Sequence, residues 1–315
     1  MLSIATFMQV LLPLYLIASV GFIARKINVF HTQTNQVITL LLLNITLPAL
    51  IIYSLNTKLT KELLISFEWL VAMSIFILGS SVIVAFILRK KARLPEQQKS
   101  VFESLIIFGN QGFIGYAIIF ILMAEEGIVY LTIFNSCYLL LIWSYGIYLF
   151  TKGAHKVNWK GLIVNPGIVS TVIGIVMMVL PLSWPEAFVA TVESIGKMTI
   201  PLSMLLIGSL LADIRWRTFR QYSTNRYLWI AAAFRLLVLP ICLLLILYVH
   251  VPFPLLVVAV LTSAMPSATT TSVYAQKFGA DASFASFGVL LTSVLCLFTL
   301  PLLYSLLHWL YPYFY

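Results

Sequence analysis

Two short runs place groups that can bind a solute, rather than break bonds in one, inside otherwise apolar stretches. Residues 109–117 read GNQGFIGYA and set Gly109, Gly112 and Gly115 beside the amides Asn110 and Gln111. Residues 263–272 read SAMPSATTTS and set Pro266 ahead of Ser267, Thr269, Thr270, Thr271 and Ser272. Glycine weakens a helix by about 1 kcal/mol, and proline removes a backbone donor and kinks the chain. In hydrocarbon the backbone groups released this way must find protein, water or solute partners. A helix restarting after such a break presents unpaired N–H groups, which favour an anionic group such as a carboxylate. The candidate substrate-binding residues are therefore Asn110, Gln111, Gly112, Gly115, Pro266, Ser267 and Thr269. Asn44, one turn before Pro48, either faces the same pocket or bonds a neighbouring helix. Small and hydroxyl residues that let helices pack closely are the competing explanation for either run taken alone.

Other chemistries lack their signatures. His31, His155, His250 and His308 fall in loops or at span ends without metal-ligand spacing, so no metal is expected. Cys137, Cys242 and Cys296 lie inside apolar segments with no CxxC pattern, as small packing residues would. An intramembrane enzyme would need a constellation such as HExxH or GxSxG. With none present, neither an enzyme nor a cofactor is expected.

The elements that must position these residues are membrane helices. Of the 315 residues, 61% are hydrophobic and 9% charged, against roughly a quarter charged in soluble domains, and the mean hydropathy is +1.03. Ten runs are long enough to cross a bilayer: 4–24, 34–55, 66–88, 101–123, 128–150, 163–183, 187–211, 227–249, 255–276 and 284–307. Trp69, Trp184, Trp229 and Trp309 sit near span ends as interfacial anchors, whereas Trp143 falls inside a span. The first span is expected to be retained, because Met1, Leu2 and Ser3 carry no basic side chain and Arg25 and Lys26 follow the apolar run.

The second half repeats the first at an offset of about 153 residues. Pro13 corresponds to Pro166, Gly21 to Gly174, Thr46 to Thr199 and Pro48 to Pro201, and the same offset carries Gln111 to Ala264 and Phe113 to Pro266. The two polar interruptions thus fall in the same span of each half. The halves, 1–155 and 156–315, each hold five spans, and an odd number gives them opposite orientations in the membrane. Pro48, Pro201 and Pro166 are helix-shaping residues, the first two more often wall than substrate contact.

Most of the 19 lysines and arginines stand in alternate loops, including Arg25, Lys26, Arg89, Lys90, Lys91, Lys152, Lys156, Lys160, Arg215 and Arg217. This bias makes those loops cytoplasmic and puts both termini outside the plasma (inner) membrane. The formal charge of +9 is accounted for by this placement and does not point to nucleic acid.

Ionisable residues within spans are costly and direct attention to function. Glu193 and Lys197, four apart on one helix face, either pair structurally or couple a proton or other ion to transport. Arg235, well inside span eight, either neutralises a substrate carboxylate or binds a helix end. Asp281 reads as a helix-start residue for span ten, with gating the minority reading. Glu103, seven residues before Asn110 and on the same face, is placed near the cytoplasmic edge, where it could snorkel to water.

Several motifs in fixed order resemble the auxin efflux carrier family, which includes bacterial malate and malonate permeases and plant auxin exporters. They are TLPALI (46–51), GNQGFIG (109–115), NPGIVSTVIG (165–174), IPLSMLLIGSLLA (200–212), AMPSA (264–268) and KFGAD (277–281), and they extend over essentially the whole chain. The resemblance implies an all-α integral membrane protein of ten transmembrane helices, built as two inverted five-helix repeats. Broken helices 4 and 9 would cross, as in sodium/proton antiporters and bile-acid transporters, and substrate would bind at the crossing. Ala117 departs from the family pattern at a position that is often proline, which leaves the kink of span four to its glycines.

The expected function is a secondary transporter moving a small organic anion by alternating access. Helices 3–5 and 8–10 would move against a scaffold of 1, 2, 6 and 7. A non-transporting receptor or sensor of a small carboxylate on the same fold is the alternative. The expected partners are the organic anion and the lipid bilayer, with a coupled proton or sodium ion and a homodimer left open.

Overall fold

The computed structural model describes residues 4–56, 60–151, 166–180, 184–212, 220 and 222–314. Lys152, Lys156, Lys160, Arg215 and Arg217 of the charge pattern lie outside them. Every regular element among the described residues is helical. In chain order these are α1 (Ile4–Lys26), α2 (Thr32–Ser54), α3 (Lys61–Lys91), α4 (Glu96–Ile107), α5 (Gln111–Thr151), α6 (Pro166–Val179), α7 (Glu186–Ala212), α8 (Arg226–Val249), α9 (Phe253–Ser263), α10 (Thr270–Lys277) and α11 (Ala282–Leu310). Six of these runs, α2, α3, α5, α7, α8 and α11, are long and apolar enough to cross a membrane, and α6 and α9 are shorter apolar helices. Outward-facing side chains such as Ile83, Leu245 and Phe298 are exposed. Apolar surface of this extent belongs against lipid.

The helix ends and bends have local causes. Thr60, Asn225 and Asp281 cap α3, α8 and α11 by accepting N–H groups of the first turn. Gly279, at φ 74°, closes α10 in the left-handed conformation that glycine adopts without strain. Pro48 and Pro240 each follow a widened π-turn, at Leu42–Thr46 and Phe234–Val238. The proline ring clashes with the carbonyl four residues back, and an extra residue in the preceding turn relieves the clash. The long run of α5 is two helices meeting at Ala124, whose φ of 49° and ψ of −140° turn the chain between the runs read as spans four and five.

Glycines set the closest helix contacts. A Cβ on Gly208 of α7 would overlap the Ala18 carbonyl oxygen of α1, and one on Gly21 of α1 would overlap the Leu205 carbonyl oxygen of α7. Gly174 does the same for α6 against α2, where a Cβ would fall 2.5 Å from Leu55 Cδ1. Gly21 and Gly174 are partners at the 153-residue offset, so the first helix of each half packs on the second helix of the other. The interior around α4 and α5 is filled by Phe102, Phe108 and Phe134, with Phe284 of α11.

Candidate functional site

The chain leaves helical geometry between α4 and α5 and again between α9 and α10, and these two linkers lie side by side. Asn110 N–H donates to Pro266 O at 2.6 Å, and Ala268 N–H donates to Phe108 O at 2.9 Å. Gly109 and Ser267 form an antiparallel bridge between these bonds. Each break thus satisfies part of the other's backbone, as a low-dielectric interior demands. The break before α5 comes at Phe108–Asn110, ahead of Gly112 and Gly115. Those two glycines lie inside the π-turn that opens α5.

Side chains complete the crossing. The Arg235 guanidinium, only 3% exposed, donates from Nε to Met265 O at 2.8 Å and from Nη1 to Ile107 O at 3.0 Å. One cation therefore meets the carbonyl ends of both α4 and α9, where the helix dipoles concentrate negative charge. The π-turn before Pro240 carries Arg235. Gly109 makes room for the guanidinium, since a Cβ there would overlap Nη2. Nη2 is buried and has no hydrogen-bond partner. Tyr138 OH donates to Gly109 O at 2.6 Å. Ser267 Oγ donates to Leu105 O at 2.7 Å, and Ser267 N–H donates to Thr292 Oγ1 at 3.0 Å. The hydroxyls of Ser104 and Thr271 lie 2.8 Å apart, tying α4 to α10.

The start of α5 is less fully satisfied. Asn110 precedes it without capping it through its side chain, and Gln111 Oε1 is buried with no partner. Asn110, Gln111 and Ser267 are 6%, 2% and 0% exposed, so the crossing is closed to solvent. Thr269 is half-buried at the start of α10, and Thr270 Oγ1 beside it is buried without a partner. Gly112 faces Leu47 of α2, where a Cβ would make ordinary contact at 3.9 Å from Leu47 Cδ2, while Gly115 packs against Met265 and Leu131.

The remaining candidates lie away from the paired linkers. Asn44 sits in the π-turn of α2, exposed, with its side-chain amide donating to Leu40 O of the same helix at 2.8 Å. Pro166 opens α6, and Pro201 follows a bend of α7 at Met198. Lys197 pairs with Glu193 at 2.5 Å and reaches Glu125 at 4.0 Å, near Tyr53, at the far end of α2. Asp281 Oδ1 accepts from Phe284 N–H at 2.8 Å, while Oδ2 accepts from Gln98 at 2.9 Å and from Tyr222 OH at 3.4 Å. Burial, with the Asp281 carboxylate beside it, raises the Tyr222 pKa and keeps that phenol a donor.

Three polar groupings show contacts or burial that the sequence does not signal. Tyr138 and Thr292 reach the linkers from sequence positions that carry no local signal. Glu103 is fully buried rather than snorkelling, with Arg89 at 2.7 Å on one oxygen and Tyr145 OH at 2.6 Å on the other. The hydroxyls of Thr46 and Thr199, partners at the repeat offset, are both buried without hydrogen bonds.

An all-helical multi-pass chain whose interrupted helices meet in its interior has the architecture of a membrane transporter. The membrane transport protein family matches residues 6–160 and 153–304, and the chain belongs to this family, that of the auxin efflux carriers. Among curated proteins it is similar to an uncharacterized transporter of Methanocaldococcus jannaschii, 20% identical over 94% of this chain and 97% of that one. It is also similar to an uncharacterized transporter of Schizosaccharomyces pombe, 25% identical over 43% of this chain and 34% of that one. The protein is a membrane transporter and not an enzyme.

Proposed function

We propose that the chain is a secondary transporter that moves a small organic anion, of the malate-like carboxylate class, across the plasma membrane by alternating access. The observation that carries this reading is the pair of interrupted helices. Their linkers hydrogen-bond to each other around a buried arginine, and Gln111 Oε1 at the start of α5 and the arginine's own Nη2 are left unsatisfied. An anion at Asn110 and Gln111 would meet the backbone N–H groups of that helix start, with the Arg235 charge behind the linker.

In this reading ten spans form two inverted five-helix repeats, supported by the reciprocal packing of α1 on α7 and α6 on α2 through Gly21 and Gly174. The scaffold is α1, α2, α6 and α7, and the moving part is α3–α5 with α8–α11. Both termini lie outside, as the basic residues at the end of α1 and of α3 support. Pro48 and Pro201 shape the scaffold wall. Ser267, with its hydroxyl and N–H both engaged, holds the crossing while Asn110 and Gln111 contact the solute.

The test is flux. Proteoliposomes holding the purified chain are expected to accumulate labelled malate, and no flux of any organic anion would refute transport of this class. Asn110→Ala and Gln111→Ala are each expected to slow uptake roughly ten- to a hundredfold, as loss of a hydrogen bond to a charged group implies, with unchanged expression. Wild-type rates in both variants would move the solute elsewhere. Glu193 and Lys197 are 33% and 44% exposed, and exposed pairs contribute about 0–1 kcal/mol. We read them as a structural tie at the mouth. Glu193→Gln should leave both the melting temperature and the pH profile of uptake close to wild type, and a displaced profile would make Glu193 a coupling group.

A further inference from the structure

Two cavities of opposite character adjoin each other along α1 and α7. The first, about 460 Å³, is lined by Arg25, Lys26, His31 and Gln33 at the basic end of α1, together with Ala212 of α7. The second, about 430 Å³, lies deeper between α1 and α7 on one side and α5 and α11 on the other. Its wall is almost wholly apolar, with Phe22, Ile23, Leu211 and Leu297 among its lining residues. Phe22 and Ile23 precede Arg25 and Lys26 by one turn, and Leu211 is the chain neighbour of Ala212, so the two chambers follow one another along the same pair of helices.

The boundary between the chambers is shaped by the chain itself. The Lys26 ammonium lies 5.5 Å from the centre of the Phe22 ring, reaching back over the apolar chamber. Arg25 donates to Phe30 O at 2.9 Å and to Thr32 Oγ1 at 3.2 Å, which holds its guanidinium at the polar chamber. Phe22, Ile23 and Leu297 are 40%, 55% and 39% exposed, so the apolar chamber opens on the lipid-facing surface.

We infer that the two chambers together bind one anionic phospholipid, its phosphate at Arg25 and Lys26 and one acyl chain in the cavity below. A soluble anion would leave the apolar chamber unused, and a purely apolar solute would gain nothing from the cations. The tail contributes little selectivity, because bilayer hydrocarbon is as apolar as the chamber. Discrimination comes from the headgroup, at about 1 kcal/mol per basic residue near a membrane surface. The polar chamber stands apart from the crossing, the apolar one reaches Ile114 in the turn that opens α5, and lipid binding does not depend on which solute is carried at the crossing. Its tail lies between the helices proposed to stay fixed and those proposed to move.

The test is lipid retention by the purified full chain, read by native mass spectrometry with equal palmitoyl-oleoyl phosphatidylglycerol and palmitoyl-oleoyl phosphatidylcholine. Wild type is expected to keep phosphatidylglycerol selectively. Replacing both cations, Arg25→Gln with Lys26→Gln, should weaken that retention roughly thirtyfold, the product of two such contributions. Ser19→Phe and Leu297→Trp, which fill the apolar chamber from opposite walls, should each reduce it while leaving the cations in place. Two tail variants, each checked for an unchanged size-exclusion profile, keep one misfolded protein from deciding the outcome. Equal retention of both lipids, or wild-type retention in the double-charge variant, would overturn the proposal. Displacement by inorganic phosphate with no effect of the tail variants would reduce the site to a headgroup anion site and overturn it as well. Displacement of the lipid by malate would assign the chamber to the carried solute, against this inference and without bearing on transport itself.

Discussion

Arg235→Gln is expected to abolish uptake and to lower the melting temperature of the purified protein. The guanidinium serves two helix ends at once, through Met265 O and Ile107 O. Glutamine is shorter, is uncharged and cannot bridge carbonyls on two separate helices. Each buried acceptor left without its donor costs roughly 1–3 kcal/mol, so the loss is on the order of 2–6 kcal/mol before any change in the dipole interaction. Arg235→Lys keeps the charge but replaces a planar fork with a single ammonium. It should recover part of the thermal stability and little of the flux. Scanning fluorimetry and proteoliposome uptake on the same preparations separate the two quantities. Full uptake in Arg235→Gln would mean that the crossing does not need its central cation.

The second large effect concerns the scaffold. Gly208→Leu should strongly destabilise the protein, because even its Cβ would overlap the backbone oxygen of Ala18, and a backbone atom cannot step aside as a flexible side chain can. Forced overpacking of this kind costs about 1–3 kcal/mol or more. Gly79→Ala in α3 provides the contrast, since nothing lies within 4 Å of the added methyl. There the helix should gain roughly 0.5–1 kcal/mol from losing a mid-helix glycine. Opposite shifts of melting temperature in the two variants are the expected result, and equal shifts would contradict the close contact of α1 with α7.

What could be read in advance followed from backbone chemistry carried by particular residues. Pro266 lacks an N–H wherever it stands, and the glycines around Asn110 weaken any helix, so an interruption in each half was legible locally. Which glycine marks the first break is not legible, because Gly109, Gly112 and Gly115 stand in one run. The chain opens at the first of them, Gly109, where it can pair with Pro266 and Ala268 of a segment far off in sequence. The choice at Arg235 between substrate and helix end stayed open for a related reason. Its acceptors are the main-chain oxygens of Ile107 and Met265, and a carbonyl leaves no mark in the amino-acid order. Position along the chain alone puts Glu103 near the cytoplasmic edge and water. Its burial depends on Arg89 and Tyr145, brought in by α3 and α5.

The two linkers share backbone bonds, a common cation and the hydroxyl of Ser267, so neither interrupted helix can tilt without the other. In the proposed cycle they form a single rigid cradle carried by α3–α5 with α8–α11, and bending belongs where that part joins the scaffold, as at residues 223–225 ahead of α8, where the chain is already non-helical. Cargo seated there would ride with its holder from one side to the other, rather than being handed from one half of the protein to its counterpart.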